Sequence, residues 1–113
     1  DLKTYLTRQS PPLYLVSLSG SLDGQPPLSP RYWLLERGYP LICVINRESD
    51  DPAFNHAVLV IGLSPNSEGP SADIIHYLDP SSREQLHTTD AATFDVLWSR
   101  CDRAMMVVCR PPG

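Results

Sequence analysis

The sequence predicts an α+β domain in which helices pack against a mostly antiparallel sheet. Several apolar, β-prone runs follow one another along the chain, separated by short polar or proline- and glycine-rich connections that are typical of antiparallel strands. Helical spacing is confined to a few segments, of which the clearest places Phe94, Leu97, Trp98 and Cys101 at i, i+3, i+4 and i+7. The length of 113 residues fits a single domain, residues 1–113, with one modest core.

The strands are predicted from apolar runs that end in turn residues. The run at 40–46 is apolar on both faces and should therefore lie in the middle of the sheet. The runs at 55–64 and 72–78 are joined by a turn-rich segment and predict a hairpin. The full set of predicted strands is 13–18, 40–46, 55–64, 72–78, a short edge strand at 84–88, and 104–109.

Two helices are predicted from capping residues. Ser29 is a suitable N-cap with Pro30 at the first helical position, and Gly38 is placed to end the helix, which gives a short helix over 30–37. The second helix begins near Thr89 or Asp90 and buries the face that carries Phe94 and the residues spaced with it.

Composition excludes several classes of function. The net charge is −4 and the basic residues form no stripe, so nucleic-acid binding is not expected. No apolar run reaches the length of a membrane span. No phosphate loop, zinc spacing or dinucleotide motif is present, so neither a cofactor nor a metal is predicted.

The three cysteines have no metal-like spacing. Cys43 and Cys109 lie inside apolar runs and are interpreted as buried core thiols. A disulfide between Cys101 and Cys109 is an alternative that the sequence does not favour. The redox compartment and the localisation stay open.

The candidate site consists of His56 and Asp79. His56 begins one predicted strand and Asp79 ends the next, so the hairpin brings both to the same end of the sheet, facing each other across the strand pair. A histidine oriented by a carboxylate can activate a cysteine thiol and return its proton to a leaving amine. The alternatives are a strand-end histidine bonded to a backbone carbonyl and an Asp79-Pro80 turn.

A succession of segments resembles the bacteriocin-processing cysteine peptidase family (peptidases of double-glycine leaders) and its wider papain-like relatives. The resemblance covers roughly residues 28 to 110. It rests, in order, on a Gly-x-Pro and apolar run at 38–46, a histidine followed by an apolar run and glycine at 55–62, Tyr-Leu-Asp-Pro at 77–80, an aromatic helix at 94–99 and a closing apolar strand at 105–109.

This resemblance implies a papain-like cysteine peptidase fold, of which the chain would be the C-terminal portion. By the same resemblance His56 is the general acid and base and Asp79 its orienter, whereas papain-type enzymes use an asparagine in that role. The family's nucleophilic cysteine begins a helix upstream, with an oxyanion-hole glutamine before it, but residues 1–37 contain no cysteine. Because Asp1 is not a methionine, we expect a processed product, an excised domain or a trimmed chain.

Several functions remain open at this point. The first is a peptidase subdomain that hydrolyses peptide bonds when another segment supplies the cysteine, and whether this chain is an enzyme depends on that segment. The second is a non-catalytic papain-like module that binds a peptide or protein, and a weaker third is cysteine-dependent acyl transfer. In each case the expected partners are a peptide or protein substrate, and a second chain or second copy that covers an exposed apolar face.

Overall fold

The computed structural model describes residues 14–48 and 51–109, together with Thr4 and Arg8. Side chains are described for the same residues except those at 14, 15 and 109. The described chain forms a six-stranded antiparallel sheet in the order β1-β6-β2-β3-β4-β5. The strands are β1 Tyr14–Ser19, β2 Leu41–Ile45, β3 His56–Ser64, β4 Ile74–Leu78, β5 Leu86–Asp90 and β6 Ala104–Cys109.

The predicted α+β class with an antiparallel sheet is confirmed by this architecture. Strands β2 to β5 form a meander in which each strand pairs with the next. Strand β6 then enters between β1 and β2, which makes β2 central, as its apolar faces indicate. Strand β5 lies at an edge, also as predicted. No helix among the described residues is long and apolar enough to cross a membrane.

Helix α1 covers Ala91–Ser99 and follows β5 without a linker. Asp90 is both the last residue of β5 and the N-cap, and its carboxylate accepts a hydrogen bond from the Thr93 N–H at 2.9 Å. Phe94 and Trp98 are buried, as their spacing predicts. The Trp98 Nε1 donates to the Ala104 carbonyl at 2.9 Å, which ties the helix to the start of β6.

The core lies between α1 and one face of the sheet. Burial alternates along β2, where Leu41, Cys43 and Ile45 point toward the helix and the intervening residues do not. Trp33 and Leu34, from the segment before β2, pack against the same cluster. The buried apolar residues are Leu41, Cys43, Ile45, Val58, Val60, Leu63, Ile75, Tyr77, Ala91, Phe94, Trp98, Met105 and Val107.

The predicted helix at 30–37 is present over 30–36, with α-helical residues at Pro30 and Arg31 followed by a turn of π-helix at Tyr32–Glu36. The Arg37 N–H donates to the Tyr32 carbonyl at 3.0 Å, which closes the wide i+5 ring of this helix type. Side-chain anchors set its shape: Arg31 forms a two-pronged ion pair with Asp73, and the Trp33 Nε1 donates to the Pro27 carbonyl at 2.6 Å. A segment this short gains little from helical hydrogen bonds alone.

Strand β3 contains a bulge that shifts its register against β4 by one residue. On one side of the bulge Leu63 pairs with Ile75, and on the other Val60 pairs with Tyr77. The shift falls between Val60 and Gly62. A bulge places two residues opposite one, so the side chains of β3 beyond it change faces relative to an unbroken ladder.

The sheet face that points away from α1 is also largely apolar. Ile61, Ile74 and Leu86 on this face are exposed, and Ile42, Val44, Leu59, Leu78, Met106 and Val108 are partly buried. Helix α1 packs against the other face. The sheet therefore has one covered and one less covered face, and the less covered face exposes more apolar surface to a partner.

Candidate active site

His56 and Asp79 lie on the face of the sheet that carries α1. Extending the observed register places Val58 opposite Asp79, so His56 lies one diagonal position away rather than directly across. The imidazole Nε2 of His56 is 3.0 Å from Oδ2 of Asp79. The structure thus brings together the two residues predicted from sequence, in a diagonal geometry that simple strand counting does not give.

The β3 bulge is the reason that the two side chains share a face. Along β4 and the residue that follows it, Ile75, Tyr77 and Asp79 alternate onto the buried face. If the pairing of Leu63 with Ile75 continued without a bulge, His56 would fall on the opposite face of β3. The extra residue near Ile61 moves Val58, Val60 and His56 together onto the side of Asp79.

Asp79 is fully buried, and each carboxylate oxygen has partners. Oδ1 accepts hydrogen bonds from the Ser81 N–H at 3.0 Å and the Ser81 hydroxyl at 2.7 Å. Oδ2 accepts from Arg47, whose Nη1 lies 2.6 Å away, and from His56. Burial alone would raise the pKa of Asp79, but the hydrogen bonds from Ser81 and His56 outweigh it and lower the pKa to about 2. Asp79 is therefore a carboxylate at neutral pH.

The partners of His56 assign the tautomer of its neutral ring. A carboxylate accepts hydrogen bonds but cannot donate them, so Nε2 carries the hydrogen and donates it to Asp79. In that neutral tautomer Nδ1 has no hydrogen. The Phe54 carbonyl, 3.4 Å away, can only accept, so this contact becomes a hydrogen bond only when the ring is doubly protonated. With 26% of the side chain exposed, the ring can reach a group outside the core.

The loop that leads into His56 is fixed from beneath by Asn46. This residue is fully buried, and its Nδ2 donates to the Asn55 side-chain oxygen and to the Asp51 carbonyl, both at 2.9 Å. Asp51 caps the 3₁₀ turn at Pro52–Phe54 through the Ala53 N–H. The residues before His56 are thus held by side-chain bonds on both sides of the loop, which orients the start of β3.

Arg47 belongs to this site and is not predicted from the sequence. Besides its ion pair with Asp79, its Nη2 donates to the Tyr77 hydroxyl at 2.7 Å, and its guanidinium lies 5.7 Å from the centre of the Tyr77 ring. The position falls in a polar loop with no periodic pattern, where an arginine is most simply interpreted as solvated. The sequence does offer one indication of this role. Arg47 is a basic residue that follows a buried strand by two positions, where its side chain can reach a buried aspartate.

Neither cysteine with a described side chain is suited to act as the nucleophile. Cys43 is buried in β2, and burial raises the pKa of its thiol to about 12. Burial, and then the charge of Asp102, also raise the pKa of Cys101. Cys101 is a free thiol, so the alternative disulfide with Cys109 is not formed. The predicted burial of the Cys109 side chain falls outside the described residues.

The other histidines lie apart from the His56–Asp79 pair. On the face away from α1, the Nε2 of His76 is 2.9 Å from the Ser64 hydroxyl. His87 stacks on Tyr77 with ring centres 5.1 Å apart. Across the described residues, no three histidine, cysteine or acidic side chains are grouped to hold a metal ion.

Comparison with known proteins gives no relative for this chain: no family model, curated protein or solved structure matches it.

Proposed function

We propose that this chain forms the histidine–aspartate half of a papain-like cysteine peptidase site, with His56 as general acid and base and Asp79 as its orienter. The observation that carries the proposal is the 3.0 Å contact between Nε2 of His56 and a buried Asp79 carboxylate. This contact fixes one ring nitrogen and leaves the other, Nδ1, to exchange a proton with a thiol.

The proton transfers follow from this arrangement. Nδ1 takes the thiol proton as the sulfur attacks the peptide carbonyl, and the Asp79 carboxylate stabilises the resulting imidazolium. The proton then passes from Nδ1 to the leaving amine, which leaves an acyl group on the sulfur. A water molecule, deprotonated by Nδ1, hydrolyses that thioester and restores the thiol. The substrate class is a peptide or protein.

The thiol must come from a segment other than the described part of this chain. Cys43 and Cys101 have raised thiol pKa values, whereas a nucleophilic cysteine needs a lowered one. The proposal therefore includes a second segment or chain that carries a cysteine to Nδ1 of His56.

Alkylation of the full-length gene product, together with any chain that copurifies with it, tests this function. We expect one cysteine other than Cys43 and Cys101 to react rapidly with iodoacetamide at pH 6.5, and His56→Ala to slow that reaction at least about tenfold. Peptide cleavage should be lost in the same variant. His76→Ala is the matched control and should leave both rates unchanged. Rapid alkylation and cleavage that survive His56→Ala would contradict the proposal.

A non-catalytic, peptide-binding role is the second candidate, and Arg47 is the observation that favours it. Its guanidinium already balances the charge of Asp79, which gives the buried carboxylate a structural purpose without catalysis. This role predicts that a peptide ligand binds equally well to wild type and His56→Ala and is not cleaved by either. Acyl transfer, the weaker third candidate, would instead yield an amide product when an amine acceptor is added.

The proposal also includes a partner on the less covered sheet face. Ile61, Ile74 and Leu86 are exposed there, and adjoining apolar side chains on β2, β3 and β6 are only partly buried. Contiguous apolar patches of this kind are typical of interfaces. We expect a second chain or a second copy of this chain to cover the face.

A further inference from the structure

We propose that Arg47 is a positioning residue that sets the charge state of His56 through Asp79. An effect of Arg47 on catalysis rests on the proposed function, but its effect on the His56 ring can be measured in this chain alone. Arg47 and His56 share one oxygen: Nη1 lies 2.6 Å, and Nε2 lies 3.0 Å, from Oδ2 of Asp79.

Arg47 is held in place by more than the ion pair. Its Nη2 donates to the hydroxyl of Tyr77 at 2.7 Å, and Tyr77 is buried between His87 and Phe94, with ring centres 5.1 and 5.6 Å away. The two ends of the guanidinium fork are thus fixed to Tyr77 near the end of β4 and to Asp79 just after it, two consecutive inward-facing positions. A guanidinium fixed in this way presents a permanent positive charge at a constant position.

This charge has opposite effects on the two acidic groups around it. It favours the carboxylate form of Asp79, which keeps Oδ2 available as an acceptor for Nε2 of His56. It also opposes a second proton on the His56 ring, because an imidazolium would place two cations on the same carboxylate oxygen. Arg47 therefore favours the neutral ring with a bare Nδ1, the form that accepts a proton.

The consequence for the site concerns how a thiol would be activated. Asp79 without Arg47 would stabilise an imidazolium paired with a thiolate in the resting state. Arg47 opposes that ion pair, because its charge lies on the same carboxylate oxygen, and so favours transfer of the thiol proton to Nδ1 during the reaction. Arg47 thus disfavours a resting imidazolium–thiolate pair and favours activation of the thiol by His56 as a general base.

Ring nitrogen NMR of the purified chain, labelled with ¹⁵N-histidine, tests the inference without any thiol or activity. The signals of His56 are those lost in His56→Gln. In Arg47→Met we expect the ring to take up its second proton at a pH higher than in wild type by at least about half a unit, because the opposing charge is gone. Arg47→Lys keeps the charge and should titrate close to wild type.

Arg31→Met is the matched control, because it removes an arginine paired with another buried aspartate, Asp73. A merely structural Arg47 would lower stability in both variants and leave the His56 titration the same in wild type, Arg31→Met and Arg47→Met. That result would overturn the inference.

Tyr77→Phe decides the question if Arg47→Met does not fold, since it removes only the hydroxyl that anchors Nη2. We expect a smaller shift in the same direction, and a titration identical to wild type would again contradict the inference. The peptidase proposal is tested separately, because a shift in the isolated chain stands whether or not the full-length gene product cleaves peptides. If it does, the acid limb of its cleavage rate, along which His56 loses its second proton, should also move to higher pH in Arg47→Met.

Discussion

At the scale of single residues, Asp79 connects the stability of this protein to its candidate chemistry. Its carboxylate is fully buried and is bonded by Ser81, Arg47 and His56. A buried charge with a partner contributes little net stability, but removing one member leaves the other uncompensated. Loss of Asp79 should therefore lower the free energy of unfolding as well as remove the group that orients His56.

Asp79→Asn tests this dual role. We expect the free energy of unfolding to fall by about 3 kcal/mol, because Arg47 loses its buried counterion. Urea denaturation measures the change. Asp95→Asn is the control: it breaks the more exposed pair with Arg103 and should cost less than about 1 kcal/mol. Equal losses in the two variants would show that burial of Asp79 has no special energetic weight.

Asp79 also predicts how stability depends on acid. Its pKa in the folded chain is about 2, below the ordinary value of 3.8, so the folded state binds this proton less readily than the unfolded state. The resulting stabilisation is complete above pH 3.8 and is lost as pH falls through about 2, a loss of about 2 kcal/mol. Urea titrations from pH 5 to pH 2 should show this loss in wild type and a flatter profile in Asp79→Asn.

At the scale of secondary-structure elements, the contact between the end of β1 and helix α1 leaves no spare volume. A Cβ added at Gly20 would overlap Cη2 of Trp98 and lie 2.7 Å from its Cζ2, and the Trp98 side chain is fully buried. The Gly20 N–H also donates to the Arg103 carbonyl at 2.9 Å, so the backbone is held close to the turn after α1. The helix position is thus set partly by this glycine.

Gly20→Ala should therefore destabilise the fold by about 1–3 kcal/mol through overpacking against Trp98. Gly62→Ala is the matched substitution in β3, where the new methyl would meet the His76 side chain at ordinary distances, 3.7 Å from Cδ2 and 3.9 Å from Cβ. We expect the second variant to change stability by less than about 0.5 kcal/mol. Thermal and urea unfolding of both variants compare the two, and equal effects would contradict this account of α1 packing.

The elements also show what the sequence predicts well and where local pattern fails. The strands at 40–46 and 55–64 and the helix after Asp90 follow from apolar runs, spacing and a cap, and each is present within a few residues of its prediction. The proximity of His56 and Asp79 follows from hairpin connectivity. The bulge near Ile61 and the role of Arg47 depend on tertiary contacts that no local pattern encodes. The helix at 30–36 lies where its capping residues place it, but its π-helical turn does not follow from them.

At the scale of the whole molecule, the two faces of the sheet have different degrees of cover. One face is closed by α1 and the segment before β2, whereas the other presents Ile61, Ile74 and Leu86 to solvent in the described part of the chain. An apolar face of this kind favours association in water. Substitutions on the less covered face should therefore change the oligomeric state, whereas substitutions of exposed apolar residues elsewhere should not.

Ile61→Lys and Leu35→Lys separate the sheet face from other exposed apolar positions. The two side chains are exposed to almost the same extent, 46% and 47%, but Leu35 lies on the π-helical turn. We expect sedimentation velocity to show self-association, or binding to a copurifying chain, that Ile61→Lys weakens at least about tenfold and Leu35→Lys does not change. A monomeric wild type that captures no second chain would contradict the expectation.

The bulge in β3 has a genetic consequence for the site. Deleting the codon for Ile61 would remove the extra residue and join Val60 directly to Gly62, so that β3 and β4 would pair in an unbroken ladder. Val60 would still lie opposite Tyr77, and Val58 and His56 would keep the face of Asp79. Inserting or deleting one residue between His56 and Val58 would instead turn His56 to the other face, so the site depends on the residue count there and tolerates the loss of the bulge itself.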